Sequence, residues 1–142
     1  MSIRKAEAKW TGNLKGGKGV MKLESGAYEG NYSFSSRFEE GTGTNPEELI
    51  GAALAGCFSM ALSNELDKAG YPPSSAHTHA DVDFRITDNG PALVEITLNN
   101  QSEVSGIDEA EFQKIAEGAK QNCPVSKALK GGPVITLNAK LV

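Results

Sequence analysis

The chain contains two cysteines in 142 residues, Cys57 and Cys123. Cys57 stands in a run almost without polar side chains, Leu49-Ile50-Gly51-Ala52-Ala53-Leu54-Ala55-Gly56-Cys57-Phe58-Ser59-Met60-Ala61-Leu62, and Cys123 in Asn122-Cys123-Pro124-Val125-Ser126. The reactive form of a cysteine is its thiolate, and apolar burial raises the thiol pKa. Redox chemistry at Cys57 therefore requires two further things, a cation that ionises the thiol and a partner that regenerates it. At helical spacing Cys57 shares a face with Ile50, Ala53, Leu54, Met60, Ala61 and Asn64, which are apolar surroundings. On this ground alone an inert packed cysteine fits as well as a nucleophile, because free cysteine is among the most buried residue types.

Other chemistries find less support. His77, His79, Asp81 and Asp83 alternate along one strand face, but consecutive members stand roughly 6.8 Å apart on a straight strand, so solvent-facing polar residues are the expected reading and no metal site is assigned. Neither histidine has a context that makes it a base for Cys57, which leaves a Cys-His acyl-transfer enzyme to an unseen tertiary contact. Gly16-Gly17-Lys18-Gly19 lacks the spacing of a phosphate loop and reads as a hairpin turn, and no cofactor is expected.

Bulk properties narrow the class further. With 39% hydrophobic and 23% charged residues, the chain reads as one globular domain over residues 1–142. A net charge of -4 without a Lys/Arg run argues against nucleic acid as a partner. The basic start, Arg4 and Lys5, has no apolar stretch behind it, and the uncharged run from Leu49 to Asn64 falls short of the about 20 apolar residues that span a bilayer. The expectation is a cytoplasmic protein without a membrane partner, whose two cysteines are reduced and working, or merely buried, rather than joined in a permanent structural bridge.

The elements that must position these residues follow from patterning. Ile3–Thr11, Gly19–Glu24 and Asn31–Phe38 read as strands with turn-rich connections. A helix begins with Asn45 as cap, Pro46 in the first position and Glu48 as reciprocal capping group, and runs to about Lys68 before Gly70 and Pro72. Its first half is small or apolar all round, so it is expected to be surrounded by protein. Ala76–Thr87 and Leu93–Asn99 read as strands joined by an Asp88-Asn89-Gly90 hairpin, and Val134–Val142 as a last strand. A second helix opens at the Asp108 cap with Glu111 three residues on and Ile107 and Phe112 as staple. Its stripe of Phe112, Ile115, Ala116, Ala119 and Cys123 points the second thiol to the core. Segregated strands and helices indicate an α+β fold.

The segments Ser35-Ser36-Arg37-Phe38-Glu39-Glu40-Gly41, Thr44-Asn45-Pro46-Glu47-Glu48-Leu49-Ile50-Gly51-Ala52, Cys57-Phe58-Ser59-Met60-Ala61-Leu62, Gly106-Ile107-Asp108 and Cys123-Pro124-Val125-Ser126 occur in the order found in the osmotically inducible protein C (OsmC) family. The resemblance spans essentially the whole chain. It implies a cysteine-dependent peroxidase related to the organic hydroperoxide resistance (Ohr) proteins, an intertwined homodimer with two long helices wrapped by antiparallel sheets and active sites at the interface. By position, Cys57 matches the peroxidatic cysteine, Cys123 the resolving cysteine, Arg37 the arginine that activates the thiol and Glu47 the carboxylate that orients that arginine. The place of the arginine in the Ser-Arg-Phe segment resembles the OsmC branch rather than the Ohr branch.

The resemblance thus implies an organic hydroperoxide substrate, a Cys57 sulfenic acid, a Cys57–Cys123 disulfide and a dithiol reductant of the dihydrolipoyl kind. Ile50, Leu54 and Met60, around the thiol by helical spacing, are the expected contacts for an alkyl group. Ten residues between Glu47 and Cys57 amount to ~15 Å of helix, too far for one chain's carboxylate to organise a guanidinium beside its own thiol, so Arg37 and Glu47 are expected to act on the partner's cysteine. Two rival readings keep the cysteines without peroxidase turnover: a binding module for a small lipophilic ligand, and a redox sensor that signals through a partner.

Overall fold

Turn chemistry and alternation shape the first part of the chain. A computed structural model describes residues 2–142. The residues up to Leu49 form one compact unit and those from Ile50 onward a second. In the first, β1 (Ala6–Thr11), β2 (Lys18–Leu23) and β3 (Glu29–Tyr32) make an antiparallel sheet in chain order. Gly12 has φ 97, and Asn13 closes the β1–β2 turn, its carboxamide oxygen accepting from the Gly16 amide at 2.7 Å.

The third strand is shorter than expected. The chain leaves the sheet after Tyr32 and winds into α1 (Phe34–Phe38). Ser33 caps it, accepting from the Ser36 amide while the Ser36 hydroxyl accepts from the Ser33 amide, a complete capping box. The sequence reads as a strand from Asn31 through Phe38. Serine side chains offering the backbone local partners override it.

Helix α2 (Pro46–Lys68) starts and stops as the sequence predicts. The Asn45 carboxamide oxygen accepts from the Glu48 amide at 2.8 Å, and the Glu48 carboxylate accepts from the Thr44 hydroxyl at 2.8 Å, one residue further back than a standard capping box. At the other end Gly70 adopts φ +89, and the Tyr71 amide donates to the Leu66 carbonyl at 2.8 Å, a Schellman closure.

The second unit pairs β4 (Ser75–Thr87) and β5 (Gly90–Glu103) as a long hairpin through Asp88-Asn89, with a bulge at Asp83/Phe84. Helices α3 (Glu109–Asn122) and α4 (Pro124–Ala128) then return the chain so that β6 (Val134–Leu141) runs parallel to β5. Asp108 caps α3 as expected, accepting from the Glu111 amide at 2.8 Å. Among the described residues, two sheets and four helices form an α+β architecture.

Leu54, Phe58, Leu62 and Leu66 repeat every four residues, and all are fully buried with Ile96 and Leu98 of β5 and Phe112, Ala116, Ala119 and Cys123 of the α3 side. Gly51 lets the helix approach the sheet, since a Cβ there would stand 3.0 Å from a Val82 methyl. A polar chain crosses this packing. The Ser59 and Thr78 hydroxyls are 2.7 Å apart, Asn100 donates to Thr78 at 2.9 Å and Ser102 to Asn100 at 2.7 Å, which satisfies the almost wholly buried Asn100 and Ser102. Phe58→Ala should cost about 3–5 kcal/mol of unfolding free energy in urea titrations, and a loss below about 1 kcal/mol would mean Phe58 is not a core anchor.

The opposite side of α2 departs from expectation. Ala52, Ala53, Gly56 and Met60 are exposed, Met60 at 77%, so this chain alone buries only one side of the helix. By length and composition, α2 is also the one described helix that could cross a membrane, with Glu47 and Glu48 in its first turn and Lys68 in its last included in its 23 residues.

Candidate active site

Two groups of residues answer to the sequence reading, one in each unit. In the first, Arg37 occupies the last turn of α1 and Glu47 the first turn of α2. Ser36 sets their spacing. Its hydroxyl donates to the Thr44 carbonyl at 2.7 Å, and its carbonyl accepts from the Asn45 side chain at 3.1 Å, which ties α1 to the start of α2. Arg37 then meets Glu47 through two nitrogens, with Nη2 donating to Oε1 at 2.7 Å and Nε to Oε1 and Oε2 at 3.1 and 3.3 Å. The Arg37 guanidinium also lies 5.4 Å from the centre of the Phe38 ring, which itself packs on Phe34. Glu47 is buried and Arg37 about one third exposed, so the carboxylate holds the guanidinium in a fixed orientation.

In the second unit the two thiols come together. Cys57 sits half-buried in the middle of α2, and Cys123 is fully buried. The second helix does not carry Cys123 as a stripe residue. The chain turns there, with Cys123 at φ -63, ψ 133 closing α3 and capping α4. Pro124 in the first position of α4 enforces the break, since its ring excludes helical geometry for the residue before it. As a cap, the Cys123 sulfur accepts from the Ser126 amide at 3.4 Å and lies 3.2 Å from the Ser126 hydroxyl.

The two sulfurs differ electrostatically. Burial pushes the Cys57 thiol up from its ordinary value; the Val125 amide opposes this, and direct interaction with Cys123 adds to it. Burial acts on Cys123 in the same upward sense, but there the hydroxyl and amide of Ser126, the Cys57 thiol and the Val125 amide outweigh it, and the net direction is down. Val125 and Ser126 carried no role in the sequence reading, although Cys123-Pro124-Val125-Ser126 spells a cap, a first-turn proline and an N3 serine.

The residues expected to meet the substrate do not converge within this chain. Ile50 packs half-buried against the core, Leu54 is fully buried in it, and Met60 is 77% exposed. The helical period explains this, since residues three before and three after Cys57 lie on opposite sides of it. Nothing among the described residues groups three or more metal-ligating side chains. His77 and His79 nevertheless approach each other more closely than straight-strand spacing suggests, with ring centres 4.5 Å apart and tilted 47°.

The model of the OsmC-like protein family matches residues 39–138. The chain is 48% identical over 139 residues to Peroxiredoxin OsmC of Escherichia coli (strain K12), covering 97% of this chain and 96% of that protein. It is 33% identical over 105 residues to Organic hydroperoxide resistance protein-like 2 of Staphylococcus epidermidis, covering 69% of this chain and 68% of that one. The fold is also that of the organic hydroperoxide resistance protein OhrB of Bacillus subtilis, with a TM-score of 0.71 and 22% identity over 96% of this chain and 98% of that one. The chain therefore belongs to the OsmC-like protein family.

Proposed function

We propose that this protein is a thiol peroxidase that reduces hydroperoxides, organic ones preferentially, through a Cys57–Cys123 disulfide cycle. The observation that carries the reading is the placement of two thiols in one unit, Cys57 half-buried in the middle of α2 and Cys123 buried on a hydrogen-bonded cap, each of which shifts the other's titration. The names of the relatives, a peroxiredoxin and a hydroperoxide resistance protein, support peroxide chemistry of this class.

The Cys57 thiolate attacks the peroxide oxygen distal to the alkyl group, the O–O bond breaks, and the alkoxide leaves and takes a proton to become the alcohol. Cys57 is left as a sulfenic acid. The Cys123 thiolate attacks that sulfur, the S–O bond breaks with loss of water after protonation, and a disulfide forms. An external dithiol returns both thiols. Dihydrolipoyl groups are the donor class suggested by the family resemblance.

Burial and the neighbouring thiol push Cys57 away from its thiolate form, which is the environment a non-catalytic ligand-binding module would have. The peroxidase reading therefore depends on the Arg37–Glu47 pair reaching the thiol. We assign that pair to the site of a second copy of the chain, because Glu47 and Cys57 lie on one continuous helix at ~15 Å. A homodimer is further supported by surface that this chain leaves open: the exposed Ala52, Ala53, Gly56 and Met60 side of α2, and Val20 and Leu23 at about one third exposure on the first sheet. No nucleic acid, membrane or cofactor enters the scheme, and the reducing cytoplasm is the compartment it suits.

Ile50 and Met60 supply the alkyl contacts once the second chain closes over α2, while Leu54, which the sequence also put beside the substrate, is buried in the core beneath them. Each Å² of alkyl surface they bury contributes about 25 cal/mol, which hydrogen peroxide cannot gain. Bulky alkyl hydroperoxides should accordingly show higher kcat/KM than hydrogen peroxide in dithiol-coupled assays. A clear preference for hydrogen peroxide would remove these side chains from the substrate cavity.

A further inference from the structure

We propose that reduction of the Cys57–Cys123 disulfide is directional: the incoming thiolate attacks Cys57, Cys123 is expelled, and Ser126 is the positioning residue that makes Cys123 the leaving sulfur. The physiological meaning of this step rests on the peroxidase reading, while its chemistry belongs to the disulfide alone.

Access favours Cys57. A thiolate must approach the attacked sulfur along the S–S axis, and Cys57 is half-buried whereas Cys123 has no exposed surface. The cleft on the α4 side, about 720 Å³, is lined by Ser126 together with Lys120, Lys127 and Lys130, but not by Cys123. Ser126 thus stands between that opening and the buried sulfur.

Leaving-group quality favours expulsion of Cys123. In thiol-disulfide exchange the sulfur that better bears negative charge leaves faster. The Ser126 hydroxyl at 3.2 Å and its amide at 3.4 Å both address the Cys123 sulfur, and they do so in a site where water cannot replace them. The opposed directions of the two thiols, Cys123 down and Cys57 up, agree with this geometry.

A thiolate of the external dithiol forms a bond to the Cys57 sulfur, the Cys57–Cys123 bond breaks, and the electron pair leaves on Cys123 as a thiolate held by Ser126. The second thiol of the donor loses its proton and attacks the donor's first sulfur. The mixed disulfide breaks, the donor closes as a cyclic disulfide, and Cys57 departs as a thiolate. The two electrons that cleave the protein disulfide thus come from the two donor thiols.

The test needs no peroxide. Protein oxidised with diamide is treated briefly with glutathione, quenched in acid, and digested for mass spectrometry. Glutathione is expected on Cys57 with Cys123 free, and adducts on Cys123, or in equal amounts on both, would overturn the proposal. Failure of diamide to join the cysteines would overturn it as well. Ser126→Val should slow reduction of the disulfide by dithiothreitol roughly tenfold, the effect of one charge-assisted hydrogen bond, while Ser126→Thr, which has the shape of valine but keeps the hydroxyl, restores the rate. Equal rates in the two variants would leave Ser126 a packing residue and sink its role. If glutathione lands on Cys57 in a protein that consumes no peroxide, the direction of exchange stands and the peroxidase reading falls. Adducts on Cys123 in an active peroxidase would mean the reverse, with the peroxidase reading intact and the direction of exchange wrong.

Discussion

Cys57→Ser is expected to reduce dithiol-supported hydroperoxide turnover to the uncatalysed background, whereas Cys123→Ser should complete one round and then stop. The asymmetry follows from the proposed roles. Without Cys57 there is no sulfur to take the peroxide oxygen, and Cys123 is buried on its cap and cannot take over. Without Cys123 the sulfenic acid still forms, but nothing inside the protein condenses with it, so sulfenic and then sulfinic acid accumulate on Cys57. Mass spectrometry of each variant after a peroxide pulse reads this directly. Multi-turnover activity surviving in Cys57→Ser would reject the mechanism.

The second large effect is at Arg37. A cation at about 4 Å and an effective dielectric near 20 contributes at most ~4 kcal/mol, equivalent to ~3 pKa units on the thiol. Burial already drives Cys57 upward. Arg37→Ala should therefore leave the thiol protonated at neutral pH and move the midpoint of its alkylation to more alkaline pH, because a raised thiol pKa means less thiolate at any pH below it. An unchanged alkylation profile would remove Arg37 from the site. The subunit that supplies the pair is tested by mixing chains. Heterodimers of Cys57→Ser with Glu47→Ala should hold one intact site and regain activity that both parent homodimers lack, provided Glu47→Ala alone is nearly inactive. Purified heterodimers without recovery would place the constellation within one chain.

Much of this architecture is legible in the sequence because local chemistry decides it. Asn45-Pro46 and Asp108-x-x-Glu111 fix two helix starts, and Gly70 fixes a helix end. The strand expected through Asn31–Phe38 fails at Ser33, where side-chain hydrogen bonds to the backbone outcompete an extended chain. The pairing of Arg37 with Glu47 spans ten residues and two helices, and only the family resemblance suggests it beforehand, since the Ser36–Thr44 and Asn45–Ser36 bonds that create it are tertiary. Cys123 shows a finer limit. Helical periodicity correctly sends it to the core but misplaces it on α3, when Pro124 makes it the cap of the next helix. The exposed face of α2 is the clearest case of information that one chain does not contain. A run that is small and apolar all round demands cover, and this chain covers only the Leu54, Phe58, Leu62 and Leu66 side.

At the centre of the proposed function, one hydroperoxide molecule converts the two thiols into one disulfide. Fully reduced protein should be mixed with one equivalent of an alkyl hydroperoxide under anaerobic conditions, then alkylated, digested and analysed by mass spectrometry alongside a free-thiol count. Two thiols should be lost per peroxide consumed, with the peptides carrying Cys57 and Cys123 joined and the alcohol formed in equal amount. Peroxide consumed with both thiols intact, or Cys57 oxidised while Cys123 stays free in the unmodified protein, would contradict this mechanism.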